Sequence, residues 1–332
     1  MSATSPPTST VTSRSRSLTP NKRLVLGLAV CLLAAGVFML ANLSGNLGFV
    51  LELRGRKLAA MVLVGWSTGV ATVAFQTVTN NRLLTPSIMG LDALYVFIQS
   101  ILVLVLGIAL VGQVGAYPMF FLNVGLMLLA ASALTSVLFG KRSRSVYVVV
   151  LAGLVLGSVL RALSSLIARV LDPSSFMVLQ DNLFASFTAV NPQLIWLCAV
   201  IVALASGYLW SMRATLDVLT LGRDAAVSLG VPYQRTMRRV LLVATLLVCV
   251  STALVGPITF LGLIVAAIAY QVSGTGRHTV TMPMAGLLGV AVLVGGQAIL
   301  EQILGQATVL SVVIEFIGGI AFIWLVIRKA SS

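Results

Sequence analysis

The sequence alternates between long apolar stretches and short polar connections from about residue 24 onward. Most of the apolar stretches have about 20 residues, and a helix of that length crosses a hydrocarbon layer of roughly 30 Å. Because a backbone in lipid must satisfy its own hydrogen bonds, helices are the economical solution. The pattern predicts an all-α integral membrane protein with ten spans, at 24–43, 57–78, 91–112, 117–139, 147–169, 193–212, 237–256, 258–272, 280–303 and 308–328.

Two segments depart from this regular pattern. The eighth stretch is short and follows Gly256 and Pro257, a pair that breaks a helix, so we expect it to be tilted or partly buried. Residues 1–20 are rich in Ser, Thr and Pro and contain no apolar run, which predicts a disordered cytoplasmic tail. We therefore divide the chain into this tail and a transmembrane domain over residues 21–332.

Composition and charge agree with a membrane location. Hydrophobic residues make up 59% of the chain and charged residues 9%, against about 25% charged in an ordinary soluble domain. A net charge of +13 would suggest nucleic acid in a soluble protein, but these basic residues cluster in short connections between spans. With the N-terminus inside, 16 of the 21 Lys and Arg residues are cytoplasmic, so we predict a multi-pass protein with both termini in the cytoplasm and no nucleic-acid partner.

Several kinds of chemistry find no support in the sequence. There is no Gly-x-x-x-x-Gly-Lys-Ser/Thr phosphate loop, so the chain is not expected to hydrolyse nucleotide. Cys31, Cys198 and Cys249 lie in apolar stretches without metal-ligand spacing, which predicts buried thiols. The single histidine, His278, lies in a cytoplasmic connection, where we expect a solvated side chain. We predict neither a catalytic site nor a metal or cofactor on this chain.

The longest cytoplasmic connection, residues 213–236, mixes basic and apolar side chains. It reads "RATLDVLTLGRDAAVSLGVPYQRT", and we predict a short helix over Val218–Leu229 with Asp217 as its N-cap and Gly230 as its stop. An apolar element on a cytoplasmic surface indicates a partner protein that covers it. A helix lying on lipid headgroups, anchored by arginines, is the alternative.

The same connection resembles a known family. The segments "LTLGRDAAVSLGVP" at 219–232 and "ALVGPITFLGLIV" at 253–265 are similar to the inner loop and next span of permease subunits of iron-siderophore and cobalamin ABC importers. In that family this element forms coupling helices that dock into a groove of the cytoplasmic ATPase. The resemblance implies ATPase coupling by Leu219, Leu221, Gly222, Arg223, Ala225, Leu229, Gly230 and Val231.

The resemblance extends over most of the chain after the tail. The segments "GRKLAAMVLVG" at 55–65, "FQTVTNNRLLTPSIMG" at 75–90 and the stretch from 295 to 329 are similar to the family's second span, the connection after it and its last two spans. Two departures, "AAIAYQ" at 266–271 and the end of "GGQAILE" at Glu301, resemble the branch associated with catecholate-type siderophores. The resemblance implies a type II importer architecture and a ferric siderophore as cargo, with haem or cobalamin as the alternative.

Three basic residues at the predicted outer mouth of span two run against the charge asymmetry. They are Arg54, Arg56 and Lys57. In the family, basic residues at this mouth meet acidic residues of the substrate-binding protein, so the resemblance implies a docking role, best matched at Arg56. Anchoring of the span by snorkelling side chains is the alternative.

A basic helical face is predicted in span five. Arg161 lies about two-thirds through the span, where an unpaired charge costs roughly 2.5 to 3.5 kcal/mol. Ser165 and Arg169 follow at spacings of four and share its helical face. This face is a candidate translocation path for an anionic iron chelate. A buried pair between Arg161 and Glu301 or Glu315 is the alternative.

These observations predict a transport subunit of the cell membrane rather than an enzyme. The resemblance implies alternating access with a second, similar permease, two ATPase subunits that hold ATP and Mg²⁺, and an external binding protein. An ion-coupled secondary transporter is the first rival, with Glu315 and Arg161 as candidate midplane groups. An intramembrane enzyme is the second, and the missing acid, base and nucleophile argue against it.

Overall fold

The computed structural model describes residues 19–42, 46–138, 146–188, 190–302 and 309–330, and within them the chain is α-helical with no β-strand. A short 3-10 helix spans Ser87–Met89. The α-helices are α1 (Pro20–Leu40), α2 (Leu47–Thr79), α3 (Leu91–Gln113), α4 (Ala116–Leu138), α5 (Val146–Val170), α6 (Pro173–Leu183), α7 (Pro192–Ser211), α8 (Arg213–Leu219), α9 (Arg223–Ser228), α10 (Tyr233–Val255), α11 (Leu261–Ser273), α12 (His278–Gln302) and α13 (Leu310–Ala330).

Each predicted span is confirmed as a helix. Seven helices are long and apolar enough to cross a membrane, namely α1, α2, α4, α5, α7, α10 and α12. Shorter apolar helices in α3, α11 and α13 complete the predicted set. The short eighth span begins only at Leu261, because α10 ends at Val255 and Gly256 turns the chain with a φ of 103°. Residues 1–18 of the predicted tail lie outside the described residues, and α1 already begins at Pro20.

The centre of the bundle is formed by α2, α10 and α12, whose apolar windows are mostly buried. Glycines let α2 and α12 approach closely, since a Cβ on Gly65 would lie 2.5 Å from the Gly289 carbonyl carbon. A Cβ on Gly69 would likewise overlap the carbonyl of Ala285. In contrast, α1 and α5 leave most of their apolar windows exposed in this single chain.

One end of the bundle gathers arginines around the ends of α2 and α11. Arg23 donates to the carbonyl of Val272 at 3.0 Å, which joins the first turn of α1 to the last turn of α11. Arg82, just after α2, lies over the Tyr270 ring, 4.5 Å from its centroid. Because α8 packs on α2 and α12, Arg213 lies there as well. We call this the basic end.

The opposite end holds the start of α2 and the ends of α1, α10 and α12. Ser186, after α6, donates its backbone N–H to the carbonyl of Val255 at 2.8 Å. With 33 residues, α2 is about 50 Å long, well beyond a hydrocarbon thickness of about 30 Å. This helix is therefore long enough to span the layer with several turns to spare, or to cross it at a tilt.

Two predictions for the connections were wrong. The predicted helix over Val218–Leu229 is two helices, α8 and α9, and Asp217 lies inside α8 rather than at an N-cap. The chain breaks at Gly222, whose φ of 94° is a conformation that glycine adopts without a steric penalty. The predicted stop is confirmed, since α9 ends at Ser228 and Gly230 has a φ of 81°.

Candidate functional site

The coupling segment, defined here as α8, α9 and residues up to Val231, presents apolar side chains at the basic end. Leu221 is 64% exposed, Val227 55% and Leu229 62%. Leu221 lies between α8 and α9, beside the turn at Gly222, whereas Val227 and Leu229 lie at the end of α9. Side chains of this size on a polar surface form a patch that a protein partner could cover.

The remaining predicted coupling residues hold this segment in place or shape it. Leu219 is buried together with Leu216 of α8, and Ala226 in α9 is fully buried, so each short helix has a side that faces the bundle. Arg223 begins α9 and is exposed. Ala225 and Val231 are partly buried, and Gly222 and Gly230 supply the two turns that bound α9.

His278 is buried where α8 meets the bundle, so the expectation of a solvated histidine was wrong. Its side chain is only 2% exposed, because α8 lies across the start of α12. The ring Nδ1 lies 2.6 Å from Asp217 Oδ1, and Nε2 lies 2.7 Å from Thr77 Oγ1. A polar pair thus joins the coupling segment to two spans.

The three basic residues predicted for docking have different surroundings at the opposite end. Arg54 donates to the carbonyls of Phe38, Met39 and Ala41 at 2.7 to 3.1 Å, which joins α2 to the end of α1. Arg56 is exposed and pairs with Glu52 one turn earlier. Of the three charged groups, the guanidinium of Arg56 is therefore the most accessible.

Lys57 is buried between α2 and α12. Its ammonium donates to Glu301 Oε1 at 2.9 Å, and the side chains are only 7% and 13% exposed. Gln297 donates to the same oxygen at 2.9 Å. These contacts give Lys57 an internal partner, and sequence reasoning missed it because the two residues are 244 positions apart.

A cavity of about 760 Å³ lies between α3, α5 and α6. Its lining includes Arg161, Ser165 and Arg169 from α5, together with Ser100 of α3 and Gln180 of α6. The structure thus brings the three predicted path residues to one cavity. Arg161 lies nine residues before the end of α5, so the basic face extends roughly 13 Å along the helix axis from that end.

The predicted alternative for Arg161, a buried ion pair, is not formed. Glu301 binds Lys57 instead, and Glu315 lies beside Thr259. Among the described residues, Arg161 forms no salt bridge, and its side chain is exposed toward the cavity. A guanidinium on a cavity wall is available to an anionic ligand.

Sequence reasoning missed a buried acid that interacts electrostatically with Arg161. Asp92, in the first turn of α3, is 8% exposed, and neither carboxylate oxygen has a hydrogen-bond partner at normal geometry. Thr259 lies near both Asp92 and Glu315. The available signal was an acidic residue inside a predicted span.

The cavity is bordered by α6, which lies in the connection between the predicted spans 147–169 and 193–212. Asp172 begins α6 as its N-cap and accepts from the backbone N–H groups of Ser174 and Ser175 at 3.1 and 3.0 Å. The hydroxyls of Ser174 and Ser175, together with these backbone bonds, hold the pKa of the Asp172 carboxyl well below its usual range. The cap fixes where α6 starts beside the cavity.

Comparison with known proteins agrees with this arrangement. The permease YclO of the petrobactin import system of Bacillus subtilis is 40% identical over 93% of this chain and 97% of its own length. FepD, the permease of the ferric enterobactin transport system of Escherichia coli, is 32% identical over 86% of this chain and 84% of its own. The fold is shared with a solved structure of a metal-chelate type ABC transporter in an inward-facing conformation, with a TM-score of 0.81 and 21% sequence identity. The match covers 93% of this chain and 100% of that chain.

The family assignment rests on nearly the whole transmembrane domain. The model of the FecCD transport family matches residues 24–328, which includes the coupling segment, the cavity and the opposite end of α2. The predicted function as a membrane transport subunit rather than an enzyme is therefore confirmed. The chain belongs to the FecCD transport family.

Proposed function

We propose that this chain is a permease subunit of an ATP-driven importer that carries a ferric siderophore from an external binding protein to the cytoplasm. Support for the cargo comes from relatives named for petrobactin and ferric enterobactin. In the proposal, the substrate descends by alternating access between this chain and a second, similar permease. Two ATPase subunits hold the ATP and Mg²⁺, and this chain holds neither.

The observation that carries this proposal is the exposed apolar surface of the coupling segment. Leu221 lies just before α9, Val227 lies on it and Leu229 follows it, and all three side chains are exposed. Their exposure supports a docking site for an ATPase at the basic end, which the proposal places in the cytoplasm. The exposed faces of α1 and α5 face lipid or the second permease.

Co-purification tests the docking site directly. Leu221→Asp places a charge on the exposed surface without changing the buried core, since Leu221 is 64% exposed. Gly276→Asp is the matched control, because a Cβ on this exposed glycine at the same end meets nothing within 4 Å. We expect the ATPase to co-purify with wild type and Gly276→Asp and to be lost from Leu221→Asp. Equal recovery from all three would reject the docking site.

The cavity supports the assignment of the translocation path. Arg161 and Arg169 give it a positive wall suited to an anionic chelate, and Ser165 adds a hydroxyl. Exchange of either arginine for glutamine is expected to lower uptake of radioiron-labelled ferric petrobactin at unchanged protein levels. Uptake equal to wild type in both variants would remove the cavity from the path.

Orientation follows from the same proposal and has a separate test. Because the native cysteines Cys31, Cys198 and Cys249 are buried, a cysteine introduced at Ser331 is the reactive thiol for an impermeant maleimide. We expect labelling only after the membrane is opened. Labelling of intact cells at this position would reverse the orientation.

A further inference from the structure

A polar link, buried at His278 and Thr77 and half-buried at Asp217, joins the coupling segment to the centre of the bundle. Asp217 Oδ1 accepts from the backbone N–H of His278 at 2.8 Å and faces the ring Nδ1 at 2.6 Å. The other ring nitrogen lies 2.7 Å from Thr77 Oγ1, on the last turns of α2. One aspartate of α8 therefore holds the start of α12, and one imidazole continues the contact to α2.

The two side-chain hydrogen bonds of His278 can form in either protonation state of the imidazole. A carboxylate only accepts, so the proton between Asp217 and Nδ1 belongs to the imidazole of His278. Thr77 Oγ1 can donate to Nε2, or accept from Nε2–H while it donates to the carbonyl of Val73 at 2.9 Å. Both the neutral and the charged imidazole therefore keep both side-chain partners.

These bonds differ in kind from the other attachments of α8. Leu216 and Leu219 bury α8 by apolar contact, which is non-directional and tolerates sliding. Hydrogen bonds weaken steeply away from their preferred distance and angle, so they fix the position of a helix as well as its burial. The link also reaches α2 and α12, which glycine contacts pack against each other.

We propose that Asp217, His278 and Thr77 are positioning residues that transmit movement of the coupling segment to α2 and α12. This inference rests on the proposed function, since it requires a docked ATPase that moves the coupling segment. The surface that meets the ATPase, Leu221 to Leu229, follows directly after α8. A displacement of that surface would thus be transmitted to α2 and α12 through the hydrogen bonds of Asp217, His278 and Thr77.

Two variants remove the link to different extents. His278→Ala deletes both ring contacts and leaves the backbone N–H that binds Asp217. Thr77→Val deletes one hydroxyl and keeps the volume, and Thr77→Ser restores it. The matched control is Thr79→Val, because the Thr79 hydroxyl donates only to carbonyls of its own helix, those of Phe75 and Gln76.

The measurement is uptake of radioiron-labelled ferric petrobactin per ATP hydrolysed, in proteoliposomes that contain the complete importer and its loaded binding protein. We expect the ATPase to co-purify with every variant within about twofold of wild type, because the docking surface is intact. Uptake per ATP should fall about tenfold in His278→Ala, which is the scale expected for the loss of a charge-assisted hydrogen bond. The fall in Thr77→Val should be smaller. Thr77→Ser and Thr79→Val should match wild type.

The outcomes separate this inference from the proposed function. If wild type recruits an ATPase and Thr77→Val matches it in uptake per ATP, the link does not transmit movement and the inference fails alone. Loss of the ATPase from Thr77→Val would also overturn it, because the link would then serve assembly. If wild type recruits no ATPase, the proposed function itself fails. Should His278→Ala not fold, Thr77→Val decides.

Discussion

The buried pair of Lys57 and Glu301 gives a quantitative prediction for the opposite end of the bundle. Removal of one member leaves the other charge buried without its partner, and such changes cost about 3 to 5 kcal/mol. Lys57 is only 7% exposed, so water can screen little of this penalty. We expect Glu301→Gln and Lys57→Met each to lower the free energy of unfolding by about that amount.

A double-mutant cycle distinguishes an internal role from a docking role for Lys57. The combined Lys57→Met and Glu301→Gln variant has no unpaired charge, and a glutamine at position 301 keeps an oxygen for the amide of Gln297. Because no charge is left unpaired, we expect the double variant to lose about 1 to 3 kcal/mol less than the sum of the two single losses. Reversible unfolding in mixed micelles gives the three values. Strictly additive losses, or single variants as stable as wild type, would refute the reasoning.

Three further predictions follow from particular contacts. Gly65→Ala should lower the free energy of unfolding by about 1 to 3 kcal/mol, because the added methyl group overpacks against Gly289. Gly55→Ala on the same helix is the control, since its methyl group meets nothing within 4 Å and should leave the free energy of unfolding unchanged. Arg56→Ala should weaken binding of the external binding protein in a titration while unfolding is unchanged, and a loss of stability instead would make Arg56 structural. Asp172→Ala should speed amide hydrogen exchange at the start of α6. Because the pKa of Asp172 is lowered in the folded state, the carboxylate stabilises the helix start at any pH above its unfolded pKa. This stabilisation is lost only as the pH falls through the lower, folded pKa. Loss of amide protection already near pH 5 would therefore contradict the role of Asp172 as a cap.

The spans could be predicted because a lipid solvent imposes a length and an apolar composition on each helix. All ten predicted stretches are helices, and the family resemblance identified the transport class that the family match confirms. The charge of Arg161 inside span five, rather than the resemblance, drew attention to this helix, and helical spacing placed Arg161, Ser165 and Arg169 on one face. The structure adds that this face lines a cavity together with α3 and α6.

The contacts that could not be predicted join residues distant in sequence. His278 pairs with Asp217 across 61 positions and with Thr77 across 201. No local pattern reports such a partner, and a lone histidine in a connection gave the wrong expectation of solvent exposure. The break between α8 and α9 was missed for another reason, since Gly222 within an apolar run is compatible with either a continuous helix or a turn.

The most direct test of the central claim is transport by the purified importer in sealed proteoliposomes, with ATP supplied only on the side of the ATPase. The account predicts accumulation of radioiron-labelled ferric petrobactin that requires ATP, the loaded binding protein and an unmodified Leu221. Accumulation by this chain alone, driven by an ion gradient without ATP, would contradict the account and favour an ion-coupled transporter.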